Sequence, residues 1–565
     1  MAQITEFLRS TGKSLVISHI STYTQPSSTE YDQILRSILL QLVRSDTDLI
    51  AYIHDEFILR KKAVTAQAIE RIILEAVRAI SNNPATTRYV HILLDGLDEC
   101  EKGKQLKIVT LLERIASCAF ESPTTVCKVL ISCRMLAPTS QRLRQKHAVS
   151  LSTEKVAVER SIGFYASQRL SKLRSRWSQL RITDSELKEL ELRLAAKADG
   201  MFLWAKLVLN YLTTNMFLNK GEVIGAVDVL PRELSDFYGR ILTQLLANFD
   251  NRSVTRLQSI LRWIAFAKRS LRRAELRSAL AFACEESEVH VQGLAPNYIF
   301  DLCAPLIEER PDSTFAFVHI SVKEFLQSPE GNHILDETGA VHDQGLATAS
   351  CLLSGYQVFQ PDYSENMRFS RVLAGFHGLH LYASEYWAEY ILSVAVSDRG
   401  IDNGSAFFLR SQELASALDT PASSHERIID SNLLDGRLRD IEQYPELWNT
   451  VVTTLAAKTT KSLIVPEEKD KHSITSLSSL YSNYQRTVKA LLQLTQFPGI
   501  STRDLEIFKR EVRSTALTCR IVSCPLAGIY FESEAQREKH ELNHAPRIMC
   551  DVSGCGHPAL SSITI

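Results

Sequence analysis

The sequence predicts a multidomain chain, α/β at its front and helical beyond, that ends in a small cysteine–histidine tail. Three observations carry this. Over residues 1–158, short apolar runs alternate with amphipathic stretches, the pattern of a parallel sheet with crossover helices. From residue 159, apolar residues recur three and four apart, which is the helical period. Near the end, Cys519, Cys524, His540 and His544 stand at zinc-finger spacing. A chain of 565 residues also exceeds what one hydrophobic core holds.

The elements follow in order. Leu15–Ile20, Tyr89–Leu94, Val126–Ser132 and Ala148–Leu151 read as buried strands, with amphipathic helices at Tyr31–Val43 and Gln67–Ile80. Residues 159–250 form a helical domain that includes ELKELELRLAAKADGMFLWAKLVLNYL and LPRELSDFYGRILTQLL. In residues 251–335, helical runs at Ile260–Ala267 and Arg273–Ala281 precede LIEER, the turn PDST and FAFVH. The helix SVKEFL follows, so helices plus one hairpin give a winged-helix pattern. Residues 336–465 are helical again. Pro466 to Asn483 is polar and Ser-rich and reads as linker with room for one short helix, within a 466–510 segment of linker and helix. The tail occupies residues 511–565.

Composition excludes several classes. A formal net charge of -1 gives no global field toward nucleic acid or anionic lipid. No run of about 18 apolar residues is present, so no membrane span is expected. The most apolar stretch, Met201 to Leu212, is short and carries Lys206. The start, MAQITEFLRSTGKS, lacks the basic and apolar regions of a signal peptide. The 11 cysteines are mostly scattered, which suits a reducing compartment, so cytoplasm or nucleus is the expected location.

The most informative run is YVHILLDGLDEC. An apolar strand delivers Asp95 at its C-terminal end, with Asp98 and Glu99 just after it. Ligands of α/β sheets bind outside those ends. A carboxylate there can hold hydrated Mg²⁺ beside a nucleotide, and a second acid can orient the attacking water. The same acids also fit a simple helix cap. In VCKVLISCR a second strand ends in Arg134, a place for a phosphate-facing arginine or for a solvated one.

Together these residues resemble the NACHT group of the STAND signalling NTPases found in fungi. The resemblance continues through ADGMFLWAKLVLNYL, LPRELSDFYGRIL, LRWIAFAKRSLRRAELRSAL and FAFVHISVKEFL, and covers residues 1–335 best. It implies a P-loop-NTPase-like parallel sheet, with Asp95 as the Mg²⁺ acid, Asp98 and Glu99 as catalytic partner acids and Arg134 as sensor. It also implies that His319 touches the β-phosphate of ADP. A half-buried histidine at a strand–helix junction is the other reading of His319.

A phosphate loop needs G-x-x-x-x-G-K-[ST] opening a helix. The sequence holds Gly12-Lys13-Ser14, but the earlier glycine position is Phe7 and the strand-like LVISHI follows. This GKS is a decoy. By resemblance, ITEFLRS matches the end of the helix after the phosphate loop, so the sheet is expected to be incomplete. The strand order is then expected to be Leu15–Ile20, Tyr89–Leu94, Val126–Ser132, all parallel. ATP or ADP binding with Mg²⁺ is in question without the loop. A signalling or scaffold protein deficient in nucleotide hydrolysis is the leading expectation. An active ATP- or GTP-binding switch with a phosphate loop upstream is the alternative.

In the tail, two thiolates and two histidines one helical turn apart can close a tetrahedron around Zn²⁺, with Phe531 as the core aromatic. Arg537 stands where such fingers keep a leucine, and unrelated Cys and His residues remain the bland reading. Cys550 and Cys555 start a second, shorter finger near His557. A zinc-finger regulator reading nucleic acid through Ser533, Gln536 and Lys539 is a further alternative. It is disfavoured, because Glu532, Glu534, Glu538 and Glu541 crowd the same helix and repel phosphate. Protein partners and oligomers are the expected associations.

Overall fold

Three parallel strands order the first part of the chain in the computed structural model. It describes all residues except 12–13, 24, 46, 61–63, 83–88, 121–125, 135–153, 175–176, 178–179, 248, 284–293, 304–305, 311–312, 332–333, 397–401, 419–435, 460–476, 499, 517–530, 532–533 and 542–565. The chain separates into two units, Met1–Arg232 and Glu233–Ile565.

The first unit opens with α1 (Ala2–Ser10), β1 (Ser14–Ile20), α2 (Tyr31–Ser45), α3 (Thr47–Ile53), α4 (Ala66–Asn82), β2 (Tyr89–Asp95), α5 (Lys102–Phe120) and β3 (Val126–Ile131). The sheet order is β1-β2-β3, with Ile17 opposite Ile92 and Ile92 opposite Val129, as the sequence led us to expect. The expected strand at Ala148–Leu151 lies outside the described residues. Alternation divides the sheet. Ile17, Val90, Ile92 and Leu94 point to one face and are buried with Ile34, Ile38, Ile73, Val77, Ile108 and Leu112 of α2, α4 and α5. These helices form because their apolar residues recur at three and four, giving one stripe each. The opposite face is covered differently. There α1 packs on β1, while Val126 and Leu130 of β3 stay 48% and 44% exposed.

The unit continues with α6 (Lys155–Leu173), α7 (Asp184–Ala198), α8 (Phe202–Thr214) and α9 (Lys220–Val229). Thr183 and Glu186 close a capping box on α7, which fixes its start. The apolar α8 buries Trp204, Val208, Leu209 and Leu212, so its hydropathy serves a core. No described helix is long and apolar enough to cross a membrane.

The second unit holds α10 (Leu234–Ala247), α11 (Asn251–Phe266), α12 (Arg273–Phe282), α13 (Tyr298–Leu302), β4 (Ile307–Glu309), β5 (Phe315–Phe317) and α14 (Ile320–Gln327). The hairpin falls where expected, β4 pairing antiparallel with β5. Then come α15 (Glu337–Val358), α16 (Glu365–Leu373), α17 (His380–Ala395), α18 (Ala406–Ala417), α19 (Pro445–Thr459), α20 (Leu477–Gln493), α21 (Thr502–Ala516) and α22 (Glu534–Glu541). The Ser-rich stretch read as linker is helical from Leu477, because Leu480, Val488 and Leu491 form a buried stripe. α15 is the central helix. It packs against α11, α12, α17 and α18 and is buried on several sides. A buried polar chain crosses it: Tyr390 Oη donates to Gln344 Oε1 (2.9 Å), and Gln344 Nε2 donates to the Arg262 carbonyl (3.0 Å).

Candidate functional site

The C-terminal ends of all three strands meet at one acidic cluster. Backbone bonds continue past the named strands there. Ser21 N donates to Asp95 O (2.9 Å), Ser132 N to Leu94 O (2.9 Å) and Leu97 N to Ser132 O (3.1 Å). The chain must turn sharply after Asp95, and Gly96 makes that possible. Its φ is +74°, and a Cβ there would sit 2.5 Å from Ser21 O. Leu97 is fully buried beneath the turn, so Asp98 and Glu99 are held in place.

Each acid has a partner. The Ser132 hydroxyl donates to Asp95 Oδ1, and the same oxygen of Ser132 accepts from Gly96 N (3.3 Å). Arg134 Nε donates to Asp98 Oδ2 at 2.7 Å, an ion pair whose side chains are 46% and 11% exposed. Tyr23 N donates to Glu99 Oε2. Burial pushes the Glu99 carboxyl above its ordinary range; the Tyr23 amide opposes this, and the neighbouring Asp98 adds to it. Cys100 lies beneath, its Sγ 3.6 Å from Ser21 Oγ, with its thiol pushed up by burial. Three carboxylates at one strand end suit a hydrated divalent cation. Ser21, Tyr23 and Ser132 were not singled out from sequence, although serines follow two of the apolar strands as SHIS and LIS.

The remaining sequence-derived residues lie elsewhere. Ser14 opens β1, so strand and not helix follows the GKS. Gly12 and Lys13 lie outside the described residues. His319, in the second unit, caps α14: its Nδ1 accepts from Ser321 N (3.2 Å) and lies 2.8 Å from Ser321 Oγ. Tyr238 Oη meets the same hydroxyl at 2.8 Å. In the tail, His540 lies on α22 and stacks on Phe531, ring centroids 4.7 Å apart, and Arg537 is buried. Cys519, Cys524, His544, Cys550 and Cys555 lie outside the described residues.

Residues 1–134 match the family model described as Nephrocystin 3, N-terminal. The matched segment runs from α1 to Arg134 and so contains the sheet and every residue of the acidic cluster. No curated protein and no solved structure matches the chain.

Proposed function

We propose that the chain is a signalling or scaffold protein of the STAND type, resembling the NACHT group, whose strand-end acids hold a conformation and do not turn over nucleotide. One observation carries this: Asp95, Asp98 and Glu99 are each engaged by the protein itself, through Ser132, Arg134 and the Tyr23 amide. Phosphoryl transfer depends on positioned charge around the phosphates. An arginine tied to Asp98 is a poor phosphate sensor until that pair opens. The order α11, α12, β4–β5 hairpin, α14 supports a winged helix in the second unit. There His319 serves as a helix cap in the arrangement described. In this reading the tail is a zinc-stabilised protein-contact module.

The test is steady-state ATP and GTP hydrolysis by the purified 565-residue chain with Mg²⁺. Turnover at background, unchanged by Asp95→Ala, is expected. Clear turnover that disappears in Asp95→Ala would overturn the reading.

A further inference from the structure

Deep in the second unit, three ligand-type side chains converge. The ligand atoms of Cys351, His377 and His380 all lie within 4.8 Å of one another. All three residues are fully buried. Cys351 sits in the middle of α15. His377 lies in the turn before α17, and His380 is the first residue of that helix. Small residues let the turn approach. A Cβ on Gly378 would come within 2.6 Å of Ala274 O, and one on Gly355 would meet the His380 ring at 2.6 Å.

Ordinary core packing does not account for this group. Among the described residues, none of the four ring nitrogens of His377 and His380 has a hydrogen-bond partner. A neutral imidazole still carries one N–H donor and one acceptor, and leaving such a group buried and unpaired costs its full desolvation. Aromatic rings enclose the pair: Phe359 lies 5.2 Å from His377 and Tyr484 lies 5.4 Å from His380, between centroids.

We propose that Cys351, His377 and His380 form a buried binding site for a d¹⁰ metal ion, Zn²⁺ or Cu⁺. A thiolate with two imidazoles suits these ions, while hard cations prefer oxygen. Binding forms one metal–sulfur and two metal–nitrogen bonds and releases the Cys351 thiol proton to solvent, with no change of oxidation state. Metal–ligand bonds of about 2.0–2.3 Å require the three atoms to draw together by at most about 1 Å. Gly375 and Gly378, in the same turn as His377, border a cleft also lined by Arg272, Tyr484 and Lys489. With Cu⁺ the ion and thiolate cancel in charge, whereas Zn²⁺ leaves one positive charge beside His377 and the nearby Arg371. Full burial favours the neutral combination.

The experiment uses the full chain carrying Cys519→Ser, Cys524→Ser, Cys550→Ser and Cys555→Ser, which removes the tail thiolates. It is loaded separately with Zn²⁺ and with Cu⁺ under reducing conditions, desalted and analysed for metal. Retention of about one equivalent of either ion is expected, with tenfold or greater loss of affinity in Cys351→Ala and in His380→Gln. X-ray absorption of the loaded parent chain reads the site without those variants; one sulfur and two imidazoles around the metal are expected. Retention of neither ion by the folded chain, or a metal shell lacking sulfur, overturns the proposal.

Discussion

Single residues decide how the strand ends and the second core are held. Gly96→Ala places a Cβ against Ser21 O at a left-handed φ. A loss of about 1–3 kcal/mol in urea denaturation is expected. A change under about 0.5 kcal/mol would mean that the turn is not held as described. Glu275 is a stronger case. It is buried and accepts two hydrogen bonds from Arg269, at 2.9 and 2.7 Å, and one from Arg272 N at 2.8 Å. Burial pushes its carboxyl up most strongly of any single cause, but the charge and hydrogen bonds of Arg269 together with Arg272 outweigh it and hold the group below the ordinary value of 4.5. The unfolded state therefore takes up the proton first as pH falls. The pair stabilises the fold above pH 4.5 and loses that contribution as pH drops through the lower folded value. Glu275→Gln is expected to cost about 3–5 kcal/mol at neutral pH, and to flatten the fall in melting temperature as pH drops below 4.5. An equal acid slope in wild type and variant would refute the assignment. Asp95 was legible because an apolar run ends on the first acid. Its partner Ser132 was not, because the pairing depends on register between strands far apart in sequence. His377 and His380 were hidden in the same way: inside GFHGLHLY they stand among aromatic and apolar residues, and Cys351 comes from another helix.

At the scale of elements, period outweighs composition. The serines at the start of α20 suggested a linker, yet Leu480, Tyr484, Val488 and Leu491 recur at four and three, and the helix packs on α15, α16 and α17. Polar residues on the outer face concealed a stripe that a strict count of spacings would have found. Leu491 is fully buried, so Leu491→Ala is expected to cost about 2–5 kcal/mol by chemical denaturation. A loosely tethered linker helix would lose less than about 0.5 kcal/mol. The tail behaves differently because a short helix such as α22 has little core of its own. His540 on Phe531 supplies one ring contact, and Arg537 occupies an interior position. Cys524→Ser is expected to remove one zinc from the purified chain and to leave the main melting transition within about 1 °C. An unchanged zinc content would show that the tail does not hold the ion.

Across the whole molecule, stability is expected to be uneven, since the two units cover their apolar surface differently. Around α15 the second unit buries Leu346, Leu352, Trp387, Tyr390 and Phe407. The sheet of the first unit has three helices on one face, while its other face leaves Tyr89, Val126 and Leu130 exposed at 41%, 48% and 44%. Among the described residues, β1 and β3 are both edge strands. An open edge presents unpaired amides and carbonyls, and exposed apolar residues beside it favour association between chains. The parallel order β1-β2-β3 followed the expectation from sequence. The uneven cover was not legible, because periodicity marks which residues are apolar and not which face finds a helix. Hydrogen exchange read by mass spectrometry is expected to show β1–β3 opening at lower free energy than α15 and α17. Leu130→Glu should raise solubility on heating while changing stability by less than about 0.5 kcal/mol, since the side chain already faces solvent beside Lys128 on the same strand. A loss of several kcal/mol in that variant, or slower exchange in β3 than in α15, would show that the outer sheet face is covered in solution and that the first unit is not the weaker one.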